Sequence, residues 1–443
     1  MQMIRVAPLL IVVLLLGHDL YGQDRLRLSE AECVQLGIEN SDGLHASRMQ
    51  HEYHKNKANE ARTYLLPQLT GKASYVHLSE VPPFEVSLPP YPGLPSTFTL
   101  SESIIDTYGL TLNVSQPIFT GFKLINNLKM SSRNATAAGY DFEGDSSRTV
   151  FEIRRSYWTL YNALEFRSLV DENLKQVEAH LADAKNFMQQ GLLTNNEVLK
   201  VETQLSQVRL LQIEADKAVR LAMVTLNSAC GLPLGTTVEV ASLPTGGNGN
   251  VPDLDSLLSR GVSARPELKA FRYRVSSAEA GVSIARSGWY PSIALTGNYY
   301  YSKPNSRIMP TKNEWEDTWD VGVIMSLDIW NWGRTVHQTR QAKAQLRSVR
   351  DALSQLEDAV QIEITASYLD VAKSEESIKV AREGVAQAEE NYRITKEKFE
   401  LGLASNTDLL DAEVALLQAK TSLTKSSAEY QIALADLERA VGR

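Results

Sequence analysis

The sequence predicts an internally duplicated α+β membrane protein, with four barrel strands and long coiled-coil helices in each chain. Three observations predict it. Two long tracts contain no proline, although the chain has 16 prolines in all. One arrangement of elements occurs twice. The residues ahead of each proline-free tract alternate apolar with polar at a period of two, the spacing of a half-buried strand.

In chain order, residues 1–22 carry the marks of a secretory signal. Arg5 supplies the positive start and Val6 to Leu16 the apolar core. Leu20-Tyr21-Gly22 then puts a small residue before Gln23, where cleavage is expected. The apolar run is too short to span a bilayer comfortably. Cys33 lies well beyond it, with no lipobox-like pattern ahead, so no lipid anchor is expected. Cys33 and Cys230 are the only cysteines. They allow one bridge at most, and the alternative is two small core residues.

The first repeat is expected over residues 23–231: a helix, strands at about 69–78 and 108–117, and a long helical hairpin turning near 191. Alternation is clear where Tyr108, Leu110, Leu112 and Val114 interleave with Gly109, Thr111, Asn113 and Ser115. The segment Val81 to Pro95 holds six prolines and reads as a long irregular loop. No proline falls between Pro117 and Pro233. A proline inside a helix costs about 3 kcal/mol, so this tract permits long helices. A helix from Phe122 to Gln190 would run roughly 100 Å at 1.5 Å per residue. That length fits a coiled coil or a tunnel wall.

Residues 232–262, with Gly246-Gly247-Asn248-Gly249-Asn250, read as a polar linker. The second repeat is expected over 263–443: a helix, strands at about 292–301 and 319–328, and a hairpin turning near 402. Trp319, Val321, Val323, Met325 and Leu327 form its apolar alternation. The repeats align without a gap from Gly191-Leu192-Leu193-Thr194-Asn195 on Gly402-Leu403-Ala404-Ser405-Asn406 to Gly231 on Gly442. Upstream, Ala61-Arg62 and Pro67 match Ala285-Arg286 and Pro291, and Ile118-Phe119 matches Ile329-Trp330.

The net charge of -8 argues against nucleic acid, which asks for a basic patch. No internal stretch approaches the ~18 apolar residues of a spanning helix. The alternating strands fit a soluble sandwich or an outer-membrane barrel, and three features favour the barrel. The protein is exported. Aromatics cluster at the strand ends, with Phe119 and Phe122 in one half and Trp289, Tyr290, Trp319, Trp330 and Trp332 in the other. Such rings sit well at a bilayer interface. The helices are too long to cover the strands. Four strands cannot close a barrel, and an open edge in lipid leaves costly unpaired backbone groups. The chain is therefore expected to oligomerise, in three copies or more.

These residues resemble the TolC-like outer-membrane efflux protein family. The resemblance rests on the doubled architecture, Tyr64-Leu65-Leu66-Pro67 and Trp289-Tyr290-Pro291, Ile118-Phe119-Thr120-Gly121, and the two Gly-Leu-x-[Ser/Thr]-Asn turns. It covers nearly the whole mature chain. It implies a homotrimer whose copies together close a twelve-stranded barrel in the outer membrane. That barrel continues into a twelve-helix tunnel across the periplasm, which docks on a membrane-fusion adaptor and an inner-membrane pump.

The resemblance also places Gly191, Leu192, Gly402 and Leu403 at the adaptor-docking tip. Phe399, Gly402, Asp408 and Asp411 fall on the entrance motif. Asp408 and Asp411 are three apart and share a helix face. Gathered by symmetry, they would form an acidic ring at the periplasmic gate that attracts cations. Alone, they are two solvated carboxylates favoured by the helix dipole. Glu197 takes the Asp408 position in the first repeat, as a second acidic layer or a tether. Phe399 and Ala404 depart from the family, whose members often carry a hydroxylated aromatic and an arginine there. The latch those groups provide is therefore not expected in the same form.

Nothing in the sequence favours an enzyme. It has no phosphate-binding glycine loop, no nucleophile elbow and no four-ligand zinc spacing. His51 and His54 read as surface residues rather than metal ligands, and His180 and His337 as lone histidines on long helices. No catalytic residue, metal or cofactor is expected, so transport energy must come from a partner. Two alternatives stay open: the exit duct of a type I protein secretion system, and a soluble periplasmic coiled-coil scaffold. The residues do not identify a substrate.

Overall fold

The structure, a computed structural model, describes residues 26–87, 89, 97–101, 103–242, 244, 252–309 and 311–442. The expected signal segment, residues 1–22, lies outside them.

The elements begin with β1 (Leu26–Leu28), α1 (Glu30–Asn40), α2 (Asp42–Thr63) and β2 (Gln68–His77). Next come β3 (Phe84–Ser87), β4 (Thr97–Ser101), β5 (Asp106–Thr120), α3 (Lys123–Gln189) and α4 (Asn195–Cys230). The second half holds β6 (Val238–Val240), α5 (Leu254–Ala264), α6 (Pro266–Arg286), β7 (Ser292–Lys303) and β8 (Glu316–Ser326). It ends with α7 (Arg334–Glu400) and α8 (Asn406–Ala440). Two compact units result: Met1–Asn40, Glu152–Gly247 and Glu376–Ile432 form one, and Ser41–Phe151, Asn248–Glu375 and Ala433–Arg443 the other. Each unit draws on both sequence repeats.

In the first unit, heptads hold the hairpin of α3 and α4 together. Val170, Val177 and Ala184 recur every seven residues, facing Val198, Val201, Leu205 and Val208. That is the seam spacing of a coiled coil. A second core gathers Ile153, Tyr157, Leu226 and Cys230 against β1 and α1. Its Tyr157 hydroxyl donates to Leu28 O at 3.2 Å and accepts from Ser242 N at 2.8 Å. α1 packs so closely that a Cβ on Gly37 would lie 2.3 Å from Ile153 Cδ1. The cysteines are buried and unbridged, with Cys230 Sγ 3.6 Å from Cys33 O.

The expected linker and the proline-rich loop both carry elements, with most of α5 lying inside residues 232–262. β1 pairs with β6 in parallel, Leu26↔Val238 to Leu28↔Val240, so the linker carries structure. The proline-rich loop contains β3, which pairs with β4 from Ser87↔Thr97 to Phe84↔Ser101. Proline lacks an N–H and is confined to edges and turns. Here Phe84-Glu85-Val86-Ser87 is a proline-free window between Pro83 and Pro89, long enough for one short strand.

The second unit holds the main sheet, an antiparallel array ordered β2-β5-β7-β8. Gln68 pairs with Ser115, Asn113 with Asn298, and Ser292 with Ser326. β5 carries a bulge between Pro117 and Phe119, where the register shifts by one. The same unit repeats a contact of the first. A Cβ on Gly261 would lie 2.2 Å from Ile364 Cδ1, as Gly37 meets Ile153. Arg265 secures this region through Glu363 at 2.8 Å and Ala440 O at 3.1 Å.

Candidate functional site

The two hairpin turns are built alike. α3 ends where Leu192 N donates to Phe187 O at 2.9 Å, and α7 where Leu403 N donates to Lys398 O at 2.7 Å. Gly191 and Gly402 take φ of 77° and 71° at these ends, the left-handed cap that glycine tolerates best. Open space surrounds both, so backbone conformation rather than crowding requires glycine. Leu192, Leu401 and Leu403 project exposed from the turns.

Each expected acidic residue has a distinct setting. Asp408 closes a capping box, accepting from Ser405 N at 2.9 Å and Ser405 Oγ at 2.7 Å. The Ser405 hydroxyl, then its backbone N–H, hold the Asp408 carboxyl below its ordinary value. Asp411 is exposed. Glu197 joins the two hairpins of one chain, accepting from Asn406 Nδ2 at 3.2 Å and from Lys200 Nζ at 2.8 Å. Lys200 also donates to Thr407 Oγ1 at 3.3 Å. The Lys200 ammonium, assisted by Asn406, keeps Glu197 below the usual carboxylate range.

The same end of this unit holds a group that sequence reasoning passed over. His180 does not stand alone. Its Nδ1 lies 3.3 Å from Glu413 Oε2 and its Nε2 2.9 Å from Asn406 Oδ1. His180 and Glu413 are almost fully buried. Phe399 meets the imidazole edge-on at 5.3 Å and Phe187 at 5.7 Å, so its ring fills the core between the hairpins. A signal was present: His180 falls three residues after Val177 on the heptad seam, where a polar side chain must find a buried partner.

The sheet of the second unit divides by face. Thr70, Asn113, Asn298 and Asp320 form a hydrogen-bonded row across all four strands, with Asn113 to Asn298 at 2.6 Å and Asn298 to Asp320 at 2.8 Å. The opposite face carries Leu69, Leu110, Leu112, Val114, Val321 and Val323, all exposed. Aromatic clusters mark both ends. Tyr75, Tyr108, Trp315 and Tyr301 touch at one end, with Tyr301 and Trp315 stacked at 4.8 Å. Phe119, Phe122 and Tyr290 touch at the other, and so do Trp330 and Trp332. Trp289 is exposed beside Tyr290, and Trp319 is exposed on the apolar face. Tyr108 and Phe119 are eleven residues apart on β5. At about 3.4 Å per residue and a barrel tilt near 45°, the bands stand ~25 Å apart, the height of a membrane barrel's apolar belt.

At the strand–helix junctions Gly121 and Phe122, then Trp332 and Gly333, have positive φ. Two bulky aromatics in that region are sterically disfavoured. A Cβ on Gly121 would lie 2.6 Å from Ser287 O.

Comparison with known proteins agrees with this geometry. The family described as outer membrane efflux protein matches residues 33–232 and 257–443. The outer membrane efflux protein BepC of Brucella suis is 23% identical, covering 97% of this chain and 89% of its own length. The alkaline protease secretion protein AprF of Pseudomonas aeruginosa is 23% identical, covering 75% and 69%. Among solved structures, the CmeC outer membrane channel of Campylobacter jejuni superposes with a TM-score of 0.81 at 18% identity, covering 93% of this chain and 85% of that one.

Proposed function

The chain belongs to the outer membrane efflux protein family, and from that membership we propose its finer role: the exit channel of a tripartite pump, conducting small molecules. It is an outer-membrane efflux channel of TolC-like type, with its helical part extending into the periplasm. The observation that carries the channel reading is the two-faced sheet. Its apolar face suits lipid, its polar row suits a water-filled lumen, and its aromatic ends suit the two interfaces. Among the described residues both edges of the main sheet are unpaired, so in this reading the sheet is completed by other copies, and three copies give room for a lumen.

In this reading Leu192 and Leu403, beside Gly191 and Gly402, dock on a periplasmic adaptor that links the channel to an inner-membrane pump. Asp408 and Asp411, gathered by symmetry, form the cation-attracting ring at the gate. Glu197 stands behind them as the tether between hairpins. The channel holds no energy source of its own in this reading, so the pump drives transport.

The test is efflux from cells. Deletion should raise accumulation of fluorescent pump substrates, and wild type should restore the low level. Normal accumulation after deletion, with one secreted protein missing from the medium, would favour a secretion duct. The likeness to AprF, named for alkaline protease secretion, is the observation behind that second reading.

A further inference from the structure

Cysteine occurs twice in 443 residues, and the fold brings both to one contact. Cys33 stands on α1 and Cys230 ends α4, 197 residues further along the chain. Both are fully buried, in one core with Ile153, Tyr157 and Leu226. Cys230 Sγ lies 3.6 Å from Cys33 O, and the two thiols hydrogen-bond to each other. The backbones are pressed together beside them. A Cβ on Gly37, one turn beyond Cys33, would lie 2.9 Å from Ala229 O. A Cβ on Gly231 would lie 2.4 Å from Asn40 Cβ.

The second repeat shows the same place without cysteine. Residues of α1 recur 224 positions on, as Gly37 and Gly261 show. Residues of the hairpin recur 211 positions on, as Ile153 and Ile364 show. The packing follows these offsets, because a Cβ on Gly261 would lie 3.6 Å from Ala440 O, the equivalent of Ala229 O. Cys33 then falls on Leu257 and Cys230 on Val441, both buried. Apolar side chains fill the place there. In the first repeat both positions hold cysteine, and no cysteine stands anywhere else. Packing can favour a small apolar residue at one position, but it gives no reason for sulfur at both.

We propose that Cys33 and Cys230 are joined by a disulfide in the exported protein, tying α1 to the end of the first hairpin. The proposal rests on the outer-membrane location, since a chain reaches it through an oxidising compartment. As the S–S bond forms, the two thiols give up two protons and two electrons. A disulfide carried by a thiol–disulfide oxidoreductase of that compartment accepts them and leaves as two thiols. One cysteine attacks that disulfide, and the other displaces the resulting mixed bond. Attack needs a thiolate. Once packed, the Cys33 thiol is pushed up by its hydrogen bond with Cys230 and by burial, so it stays protonated and unreactive. The bond therefore forms while α1 is still closing on α4, and packing then shields it. It closes a ring around the strands β2 to β5 and both helices of the first hairpin. So long a ring removes much of the unfolded chain's freedom.

Thiol counting on the full chain tests it. Cells are quenched in acid, and the chain from the outer-membrane fraction is denatured and alkylated with N-ethylmaleimide, with and without prior reduction. The expected mass shows no adduct before reduction and two after it, with the Cys33 and Cys230 peptides joined in the unreduced digest. Two adducts before reduction overturn the bridge. So does a reducible cap on cysteines whose peptides are not joined. Recovery of the chain from the cytoplasm alone would count against the location and the bridge together. The variant Cys33→Leu/Cys230→Val carries the second repeat's residues and should fold by packing alone. Reductant should lower the denaturant midpoint of the wild type in detergent and leave that of the variant unmoved. A wild-type midpoint that stays put after both thiols are freed overturns the tie between α1 and the hairpin.

Discussion

Asn406 bridges His180 to Glu197. Its Nδ2 donates to Glu197, so its Oδ1 faces His180 Nε2 as an acceptor at 2.9 Å. The other ring nitrogen faces the Glu413 carboxyl at 3.3 Å. The pair is almost fully buried between helices that the turns bring together.

Removing one member should therefore cost more than removing both. His180→Leu leaves a buried carboxyl without its partner and should destabilise the hairpins by about 3–5 kcal/mol. The double variant His180→Leu/Glu413→Leu should recover most of that loss, because two apolar groups satisfy each other. Hydrogen exchange of the α3 and α8 amides measures both. Equal protection in single and double variants would show that the pair does not act as a unit.

The turns should respond to backbone, not to volume. Gly402→Val forces a β-branched residue to φ near 71° and should cost about 1–3 kcal/mol locally. Gly402→Asn should cost much less, since asparagine tolerates the left-handed region. Binding of the adaptor should weaken more than insertion into the outer membrane. Co-purification with the adaptor, set against the amount in the membrane fraction, separates the two; equal losses would mark a general folding defect.

Acid should loosen the start of α8. The folded carboxyl of Asp408 lies below its ordinary value because Ser405 donates to it. The unfolded state therefore binds the proton more readily. The cap's contribution is present above the ordinary aspartate value of 3.8 and is lost as pH falls from there through the folded value. Amide shifts of Ser405 and Asp408 followed by NMR should report the transition. Asp408→Asn should abolish it, and Ser405→Ala should move it up towards the ordinary value.

Conductance should expose the gate. If copies gather Asp408 and Asp411 around one opening, like charges at about 4 Å repel by roughly 1 kcal/mol per pair even in water. Multivalent cations should bind there from the periplasmic side and block. Planar-bilayer recordings should show Asp408→Ala/Asp411→Ala losing cation preference and block. Unchanged currents would shift attention to Glu197, which Lys200 and Asn406 already hold.

What the sequence made legible followed from its local periodicities. The strands of the main sheet were readable because Leu110, Leu112 and Val114 alternate over a surface that no helix covers. The turns were readable because Gly191 and Gly402 interrupt proline-free tracts. Other features depended on distant pairing. β1 finds β6 across more than 200 residues, and three residues carry too little pattern to announce a strand. β3 was hidden by the prolines around it. His180 depends on Glu413, 233 residues on, and no local window holds both. The place of His180 three residues after Val177 on the buried heptad seam was the hint.

The sheet order also dictates when the molecule can fold. β5 pairs with β7, whose residues follow about 185 positions later, as Asn113 and Asn298 show. Until the second half of the chain has arrived, the main sheet can form only its β2–β5 ribbon, and a two-stranded ribbon is marginal in water. Its apolar face then has neither lipid nor neighbours. Newly exported chains thus pass through an aggregation-prone interval whose length is set by delivery of the second repeat. A holding chaperone should be needed most by the half-delivered chain, so a truncation after Cys230 should depend on it more than the full-length protein does.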